Sequence, residues 1–378
     1  MPKTVLHELG DFGQSIWLDY ISRPLLESGK LKSLIDLGLR GMTSNPSIFN
    51  DAIGTSKDYD EKIIRLNEAG KSAFEIYDDL TVGDIQEATD IFRSVYENTN
   101  YLDGYVSLEI NPKLATKKEE SIKEGRRLFK KVNRPNVMIK VPATEAGYGV
   151  IEELLADGIN VNVTLIFSLD QYAKTVEAFF KGMNRLAQKG GDLTKMASVA
   201  SIFVSRIDTL VDGLLDDRAA AENDIQKKSR ILALKGRAAV ANSELIYETF
   251  RESFSSQPFE LLAKKGCRPQ RVLWASTGTK NPLYSDIKYI TELIAKSTVN
   301  TLPEKTINAF CDHGVVKEAI ADDFHNARNV VTILDARGVD MDKVCEKLLA
   351  DGLAAFEKSF DTLLRSIETK ANSLCVKS

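Results

Sequence analysis

Short runs of alternating apolar and polar residues recur along the chain, separated by longer runs with apolar residues at helical spacing. A period of two is typical of β-strands, and spacings of three and four residues are typical of amphipathic helices. The pattern predicts strands at residues 15–20, 41–44, 104–110, 136–141, 160–167, 197–204, 272–276 and 298–302, the last with the weakest alternation. The predicted helices include residues 117–131, 169–188, 208–216, 219–252 and 341–370.

This alternation of strands and helices predicts a parallel sheet with helical crossovers, either open and doubly wound or closed into a barrel. An open nucleotide-binding sheet should carry a glycine-rich phosphate loop after an early strand, but Ile21-Ser22-Arg23-Pro24 follows the first strand here. The predicted fold class is therefore α/β, a (β/α)₈ TIM barrel. Because such a barrel needs roughly 250 residues, we expect residues 1–378 to form one domain with additional helices. These are placed at the N-terminus, at about 219–265 and at about 341–370.

Four of the predicted strands are apolar on one face and carry polar residues on the other, near their carboxyl ends. Since strand side chains alternate between faces, the apolar sets should meet the helices and the polar sets should point into the barrel. The inward-facing polar residues are Asp19, Glu109, Lys140, Asn162 and Thr164. Each alone is commonly a solvated residue, a helix cap or a snorkelling lysine. Their convergence in one apolar interior is costly without mutual contacts, which indicates a functional site.

Lys140 has the most distinctive chemistry of this set. Its neighbours Met138, Ile139 and Val141 are apolar, and burial among them disfavours the charged ammonium form. A free amine attacks a carbonyl to form a Schiff base, whose protonated imine acts as an electron sink. Two nearby carboxylates supply proton transfer. This scheme requires neither a metal nor a cofactor, and we expect none.

Three further segments follow predicted strand ends. In Thr43-Ser44-Asn45-Pro46-Ser47 the proline is placed as in the first turn of a helix, although this motif alone is typical of a simple turn. Residues 200–206 end in Arg206, and residues 274–281 bring hydroxyls, a glycine and Lys280. Cations and hydroxyls at a barrel mouth suit a phosphate group. A solvated arginine is the usual alternative.

Composition narrows the range of partners. The formal net charge is −4, from 50 Lys+Arg against 54 Asp+Glu, so the chain lacks the general basic surface typical of nucleic-acid binding. The three histidines, His7, His313 and His325, have no metal-ligand spacing. We therefore expect small molecules as partners, with no nucleic acid.

The chain also suggests a compartment. Cys267, Cys311, Cys345 and Cys375 show no C-x-x-C spacing, which favours a reducing environment. The first residues do not resemble a secretory signal, and no apolar stretch is long enough to span a bilayer. We expect a cytoplasmic location, or a plastid one if a transit peptide has been removed. Monomer and homodimer both stay open.

Several segments together resemble the transaldolase family. In chain order they are TSNPSIF (43–49), VSLEINP (106–112), VMIKVPAT (137–144), VNVTLIFS (161–168), SVASIFVSRID (198–208), LWASTGTKNPLYSD (273–286) and NTLPEKTINAFCDHG (300–314). Single segments are unspecific, but the ordered set spans nearly the whole chain. The length and the ASTGTKNP segment are most similar to the longer bacterial and plant subfamily within the class I Schiff-base aldolases.

The resemblance implies a role for each candidate residue. Lys140 would form the Schiff base, Asp19 would be the general acid/base, and Glu109 would relay protons with Thr164 and a water. The substrate-binding residues implied are Asn45, Asn162, Ser201, Phe203, Arg206, Ser276 and Lys280. Of these, Arg206, Ser276 and Lys280 would bind phosphate. Shorter family members place an arginine in an A-S-F-R-N segment where this chain has the longer A-S-T-G-T-K-N.

The implied reaction transfers a dihydroxyacetone unit from sedoheptulose 7-phosphate or fructose 6-phosphate to glyceraldehyde 3-phosphate or erythrose 4-phosphate, in the non-oxidative pentose phosphate pathway. One alternative is a fructose 6-phosphate aldolase-type lyase, but that sister family carries Gln and Tyr where this chain has Glu109 and Phe203. Another is a non-catalytic barrel that only binds a sugar phosphate or a protein. The intact Asp19, Glu109 and Lys140 argue against it.

Overall fold

Eight parallel strands form a closed barrel in the computed structural model, which describes residues 3–375. The strands are β1 (Gln14–Asp19), β2 (Gly41–Thr43), β3 (Tyr105–Glu109), β4 (Val137–Pro142), β5 (Val161–Ile166), β6 (Ser198–Phe203), β7 (Arg271–Ala275) and β8 (Thr298–Leu302). Each pairs with its neighbours in chain order, and β8 returns to β1. The predicted (β/α)₈ barrel is confirmed.

Helices surround the barrel and cover its ends. They are α1 (Val5–Phe12), α2 (Arg23–Glu27), α3 (Lys30–Asp36), α4 (Pro46–Thr55), α5 (Asp60–Glu68), α6 (Ala73–Ile91), α7 (Arg93–Asn98), α8 (Lys118–Val132), α9 (Glu145–Ala156), α10 (Leu169–Gln188), α11 (Ser205–Ala221), α12 (Ile225–Leu232), α13 (Ala238–Phe254), α14 (Gln257–Ala263), α15 (Lys288–Thr291), α16 (Glu304–His313), α17 (His325–Ala336) and α18 (Met341–Cys375). A 3₁₀ turn, Pro112–Leu114, follows β3. No helix in residues 3–375 is both long and apolar enough to cross a membrane.

The helix predicted over residues 219–252 is wrong as a single element. The chain leaves α11 after Ala221, and Asp224 caps the start of α12 by accepting from the backbone N–H of Gln226 at 2.8 Å. A second break falls at Gly236, whose φ of +71° is a left-handed conformation that glycine adopts without strain. Asp208 of α11 then accepts from the N–H of Ala239 at 2.8 Å and fixes the start of α13. Caps and a turn thus interrupt a continuous apolar period.

The C-terminal helix α18 lies across the carboxyl ends of the strands. It packs against α4, α5 and α6 and contacts β5. Polar contacts hold it along its length: Ser359 bonds to Ser47 at 2.8 Å, and Lys370 pairs with Asp60 at 2.9 Å. An element far along the chain therefore forms part of the barrel mouth.

The amino ends of the strands close the barrel interior. Trp17 of β1 is fully buried and lies so close to Gly41 of β2 that a Cβ there would fall 2.5 Å from the indole. Below it, the buried Arg271 pairs with Asp103 at 2.8 Å and donates to Ser15 at 2.8 Å. These side chains fill the barrel axis near the amino ends, so the interior cavity that contains the predicted site residues opens toward the carboxyl ends.

The cysteines of the described chain are not bonded to one another. Cys267 and Cys345 are buried free thiols, and Cys311 is an exposed one. Burial raises the pKa of Cys267 and of Cys345 to about 12, so these thiols stay protonated and unreactive. The side chain of Cys375 lies outside the described residues.

Candidate active site

A cavity of about 160 Å³ opens at the carboxyl ends of the strands. Its volume is below the range usual for drug-sized ligands, so it suits a short part of a substrate. Eight of the eleven predicted site residues line it: Asp19, Asn45, Lys140, Thr164, Ser201, Phe203, Arg206 and Ser276. The other three, Glu109, Asn162 and Lys280, lie outside its lining and reach it through neighbours.

Lys140 lies on the inner face of β4 and is 5% exposed. Its Nζ donates to the backbone carbonyl of Ser44 at 3.0 Å and is 3.5 Å from Oε2 of Glu109. Strand register explains this pairing, because Glu109 of β3 is directly opposite Lys140, and Lys140 is opposite Asn162 of β5. The amine is thus held in place by one carbonyl and one carboxylate.

Asp19 ends β1 on the same side of the barrel. Its Oδ1 accepts from Oγ1 of Thr43 at 2.7 Å, and that hydroxyl also contacts Oγ1 of Thr301 at 2.7 Å. Burial raises the pKa of Asp19 above its ordinary value, while the charge of Lys140 and the hydrogen bond from Thr43 oppose that increase. A carboxylate whose basicity is increased in this way is suited to accept a proton from a hydroxyl.

Glu109 and Thr164 each present a buried oxygen without a hydrogen-bond partner among the described residues. These atoms are Oε2 of Glu109, whose contact with Lys140 lacks hydrogen-bond geometry, and Oγ1 of Thr164. Burial also raises the pKa of Glu109; the charge and contact of Lys140 oppose this, and the charge of Asp19 adds to it. Buried polar atoms normally find partners, so the two oxygens are available to a substrate hydroxyl or a water.

Asn162 is held within a row of side chains below the cavity. Its Nδ2 donates to Ser107 at 3.0 Å, and its Oδ1 accepts from Ser201 at 2.7 Å. The Ser201 hydroxyl lines the cavity and connects Asn162 to it. Through this hydrogen bond, Asn162 orients Ser201.

Asn45 combines a structural and a cavity position. Its Oδ1 accepts from the N–H of Ile48 at 3.0 Å and caps α4, whose first residue is Pro46. This capping uses only the oxygen of the side-chain amide, so the NH₂ group remains for a ligand. The simple-turn interpretation of this segment and the binding interpretation are compatible.

Arg206 forms the cationic side of the cavity. Its guanidinium is 5.4 Å from the ring centroid of Phe203. Burial lowers the pKa of Arg206, and the charge of Asp351 on α18 opposes this. Ser276 adjoins it in a left-handed conformation, with φ of +55°, and contacts Ser205 at 3.1 Å. A non-glycine residue in this conformation carries strain of the kind found at functional sites.

Lys280 lies farther out, on the loop after β7. Its side chain is exposed to solvent, but protein on one side removes part of its hydration and lowers its pKa. The charge of Arg206 lowers the pKa further. The two cations are therefore close enough to interact, but Lys280 does not line the cavity.

Several contributors to the site were not identified from the sequence. The carbonyl of Ser44 contacts Lys140, and the hydroxyl of Thr43 contacts Asp19. The hydroxyl of Thr301 in turn contacts that of Thr43. Thr301 belongs to the predicted strand 298–302, and the period-two pattern is the signal that could have found it. Phe356 of α18 also lines the cavity. No local signal connects a helix residue to strands more than fifty positions earlier.

The described residues contain no group of three or more His, Cys, Asp or Glu arranged to hold a metal ion. The cavity is lined by one amine, one carboxyl, several hydroxyls and an arginine, and the carboxyl of Glu109 lies 3.5 Å from that amine.

Comparisons with known proteins agree on one family. The family model for Transaldolase/Fructose-6-phosphate aldolase matches residues 16–367. A protein named transaldolase from Trichodesmium erythraeum (strain IMS101) is 43% identical over 372 residues, covering 98% of each chain. Transaldolase 2 from Nostoc sp. (strain PCC 7120) is 42% identical over 373 residues, with the same coverage. A transaldolase from Saccharopolyspora erythraea is 43% identical over 364 residues, covering 96% of each chain.

Proposed function

The chain belongs to the transaldolase/fructose-6-phosphate aldolase family, and from this premise we propose that it is a transaldolase. It moves a dihydroxyacetone unit from sedoheptulose 7-phosphate or fructose 6-phosphate to glyceraldehyde 3-phosphate or erythrose 4-phosphate. The observation that carries the proposal is the buried amine of Lys140 beside Glu109, in one cavity with Asp19. We place this reaction in the non-oxidative pentose phosphate pathway of the cytoplasm.

The first half of the reaction forms and cleaves a covalent intermediate. The Lys140 amine attacks the C2 carbonyl of the ketose phosphate, and loss of water gives a protonated imine. Asp19 accepts the proton of the C4 hydroxyl, and the C3–C4 bond breaks with its electron pair moving into the imine. An aldose phosphate leaves, and an enamine of dihydroxyacetone stays on Lys140. Glu109 and Thr164 relay protons through a water during imine formation.

The second half runs the same chemistry in reverse with a new acceptor. C3 of the enamine attacks the aldehyde carbon of the acceptor, and Asp19 returns its proton to the new hydroxyl. Water then releases the ketose and frees the amine. Asn45 and Ser201 contact the hydroxyls of the three-carbon unit, with Asn162 behind Ser201, while Arg206, Ser276 and Lys280 hold the phosphate.

A direct assay tests this assignment. The protein is incubated with fructose 6-phosphate and erythrose 4-phosphate, and formation of glyceraldehyde 3-phosphate and sedoheptulose 7-phosphate is followed. We expect both products in equal amounts, with no change on adding a chelator. Dihydroxyacetone accumulation without sedoheptulose 7-phosphate would identify a lyase instead, and absence of all products would favour a binding protein.

Replacing Arg206 by alanine should weaken the handling of phosphorylated substrates. A charge-assisted contact to phosphate contributes roughly 1.5–3 kcal/mol, equivalent to about ten- to a hundredfold in affinity. KM for erythrose 4-phosphate should rise by that factor, whereas KM for unphosphorylated glyceraldehyde as acceptor should change little. Steady-state kinetics with both acceptors make the comparison. Lys280→Ala should show the same pattern with a smaller effect, because Lys280 does not line the cavity.

The control for this prediction is Arg230→Ala, an exposed arginine on α12. It should leave both KM values unchanged. Equal losses for both acceptors in Arg206→Ala would show that Arg206 acts structurally through its contact with Phe203.

Exchanging Phe203 for tyrosine together with Glu109→Gln should shift the enzyme from transfer toward release. Release requires a positioned water that attacks the imine, and Phe203 presents no hydroxyl to that water. A tyrosine hydroxyl in the cavity supplies a new donor and acceptor. We expect the rate of free dihydroxyacetone release from fructose 6-phosphate to increase and the transfer rate to decrease, each measured in a separate assay.

Phe180→Tyr, on the outer helix α10, should leave the ratio of release to transfer unaltered. If the Phe203 and Glu109 variants lose both activities in parallel, these residues do not control the fate of the intermediate.

A further inference from the structure

A second cavity, of about 540 Å³, lies at the opposite end of the barrel. Its lining residues lie at or just before the amino ends of β1, β2, β3, β7 and β8. These five strands are neighbours around the closed sheet. The active-site residues lie instead at the carboxyl ends of the strands. Ser15 lies near the amino end of β1 and Asp19 at its carboxyl end. Four residues at about 3.3 Å each separate them by roughly 13 Å.

More cations than carboxylates line this cavity. Four cations face it: Arg40, Arg268, Arg271 and Lys296. The two carboxylates that face it are already engaged, because Asp103 pairs with Arg271 at 2.8 Å and Asp11 pairs with Lys3. Among the described residues, no carboxylate forms an ion pair with Arg40, Arg268 or Lys296. Weaker contacts remain, because the charge of Arg40 interacts with that of Asp11 and Lys296 lies 6.0 Å from the ring centroid of Phe12. An excess of cations around one cavity is still a local exception in a chain whose formal net charge is −4.

Arg268 is fixed in place with part of its guanidinium unused. Its Nη2 donates to the carbonyl of Asn100, whereas Nη1 is buried and has no hydrogen-bond partner in the described part of the chain. A buried charged donor without a partner is costly. Arg268 also lines the cavity, and a side-chain movement that brought Nη1 to an anion there would replace this cost with a charge-assisted hydrogen bond.

The cavity also has an apolar wall and a strained rim. Phe12, Leu102 and Pro269 supply the wall, which no inorganic ion alone would need. Tyr101, next to Leu102, has a φ of +66°, and Ser297 on the other side has a φ of +58°. Non-glycine residues adopt this left-handed conformation at a cost, and such residues concentrate at binding and catalytic sites.

We propose that this cavity binds a small organic phosphate, with the phosphate groups on Arg40, Arg268 and Lys296 and the organic part against the apolar wall. Its volume is in the range of pockets that enclose small ligands. Arginine in particular suits phosphate, because its planar fork can donate two hydrogen bonds to one group. This site is separate from the proposed reaction and does not depend on it.

Calorimetric titration at constant ionic strength tests the proposal. The protein carries Arg206→Ala, which weakens phosphate binding in the active site and leaves the second cavity intact. The probes are adenosine 5′-diphosphate without magnesium, inorganic pyrophosphate and uncharged adenosine. We expect adenosine 5′-diphosphate to bind at one site per chain, pyrophosphate to bind more weakly, and adenosine to show no binding.

Two variants in the same background locate the ligand. Arg268→Gln and Lys296→Gln should each weaken binding about tenfold or more, as expected for loss of a charge-assisted contact. The matched control Lys265→Gln, an exposed lysine three positions before Arg268 in the chain that does not line the cavity, should stay within about twofold. If Arg268→Gln disturbs folding, Lys296→Gln still decides the question, because that side chain is exposed.

The proposal is overturned if neither anion binds to the Arg206→Ala protein, or if Lys296→Gln and Lys265→Gln bind equally well. Pyrophosphate binding as tightly as the nucleotide would assign the site to inorganic phosphate and remove the role of the apolar wall. Transfer activity, measured in parallel on otherwise wild-type protein, should be unchanged by Lys296→Gln.

Discussion

Lys140→Met is expected to lower transfer activity by roughly four to six orders of magnitude, as loss of a covalent nucleophile does in other enzymes. Methionine fills a similar volume but cannot form an imine. Because C3–C4 cleavage needs the imine as electron sink, the remaining carboxylates cannot compensate. Methionine also leaves Glu109 without the opposing charge 3.5 Å away, so the pKa of that carboxyl should rise further above its ordinary value.

Lys140→Arg separates covalent from electrostatic roles. Arginine keeps the positive charge beside Glu109 but forms no Schiff base, so it should be as inactive as the methionine variant. Lys130→Met, at an exposed position on α8, controls for loss of a lysine in general and should keep full activity. Transfer rates under saturating donor give the comparison. Appreciable turnover by Lys140→Arg would mean that the charge, and not the covalent bond, is what the reaction uses.

Asp19→Ala is expected to lower both transfer and dihydroxyacetone release about a hundredfold to ten-thousandfold, the usual contribution of a general base. Both fall together because each requires the C3–C4 bond to break. Imine formation on Lys140 should persist, since Asp19 acts after it. Rapid-mixing measurements that separate imine formation from cleavage can verify this order. Transfer that survives in Asp19→Ala would assign the proton transfer to another group.

Thr43→Val provides a graded test of the same role. The Thr43 hydroxyl donates to Asp19 at 2.7 Å and lowers the pKa of that carboxyl, so its removal should raise the pKa. Because the base must be ionised, activity is present above the pKa and is lost as pH falls through it. The acid side of the kcat/KM profile should therefore move to higher pH in Thr43→Val. A shift to lower pH, or none, would place the controlling group elsewhere.

The sequence predicted the barrel and the inner face of its strands because both depend on local periodicity. Glu109, Lys140 and Asn162 each follow the period-two pattern of their own strand. Strand register then places them side by side. The roles of Arg206 and Ser276 came mainly from the family resemblance, since an arginine past a strand end is commonly solvated. The family assignment itself is confirmed.

Contributions from distant chain segments were beyond such reasoning. Phe356 reaches the cavity because α18 crosses the barrel mouth, and this path depends on contacts such as Ser47 with Ser359. The acceptor for Lys140 is the backbone carbonyl of Ser44. Every residue has such a carbonyl, so the residue type at position 44 does not reveal this contact. Helix ends at Asp224 and Gly236 were missed because apolar periodicity continues across them.

Borohydride reduction in the presence of fructose 6-phosphate tests the central claim most directly. Hydride reduces an imine to a stable secondary amine, and peptide mass mapping then identifies the modified residue. Omitting the sugar phosphate controls for nonspecific modification, and Lys140→Arg controls for labelling of other lysines. We predict a single dihydroxyacetone-derived modification, on Lys140, that appears only with the sugar phosphate. A label on another lysine, or active protein that acquires none, would contradict the Schiff-base mechanism at Lys140.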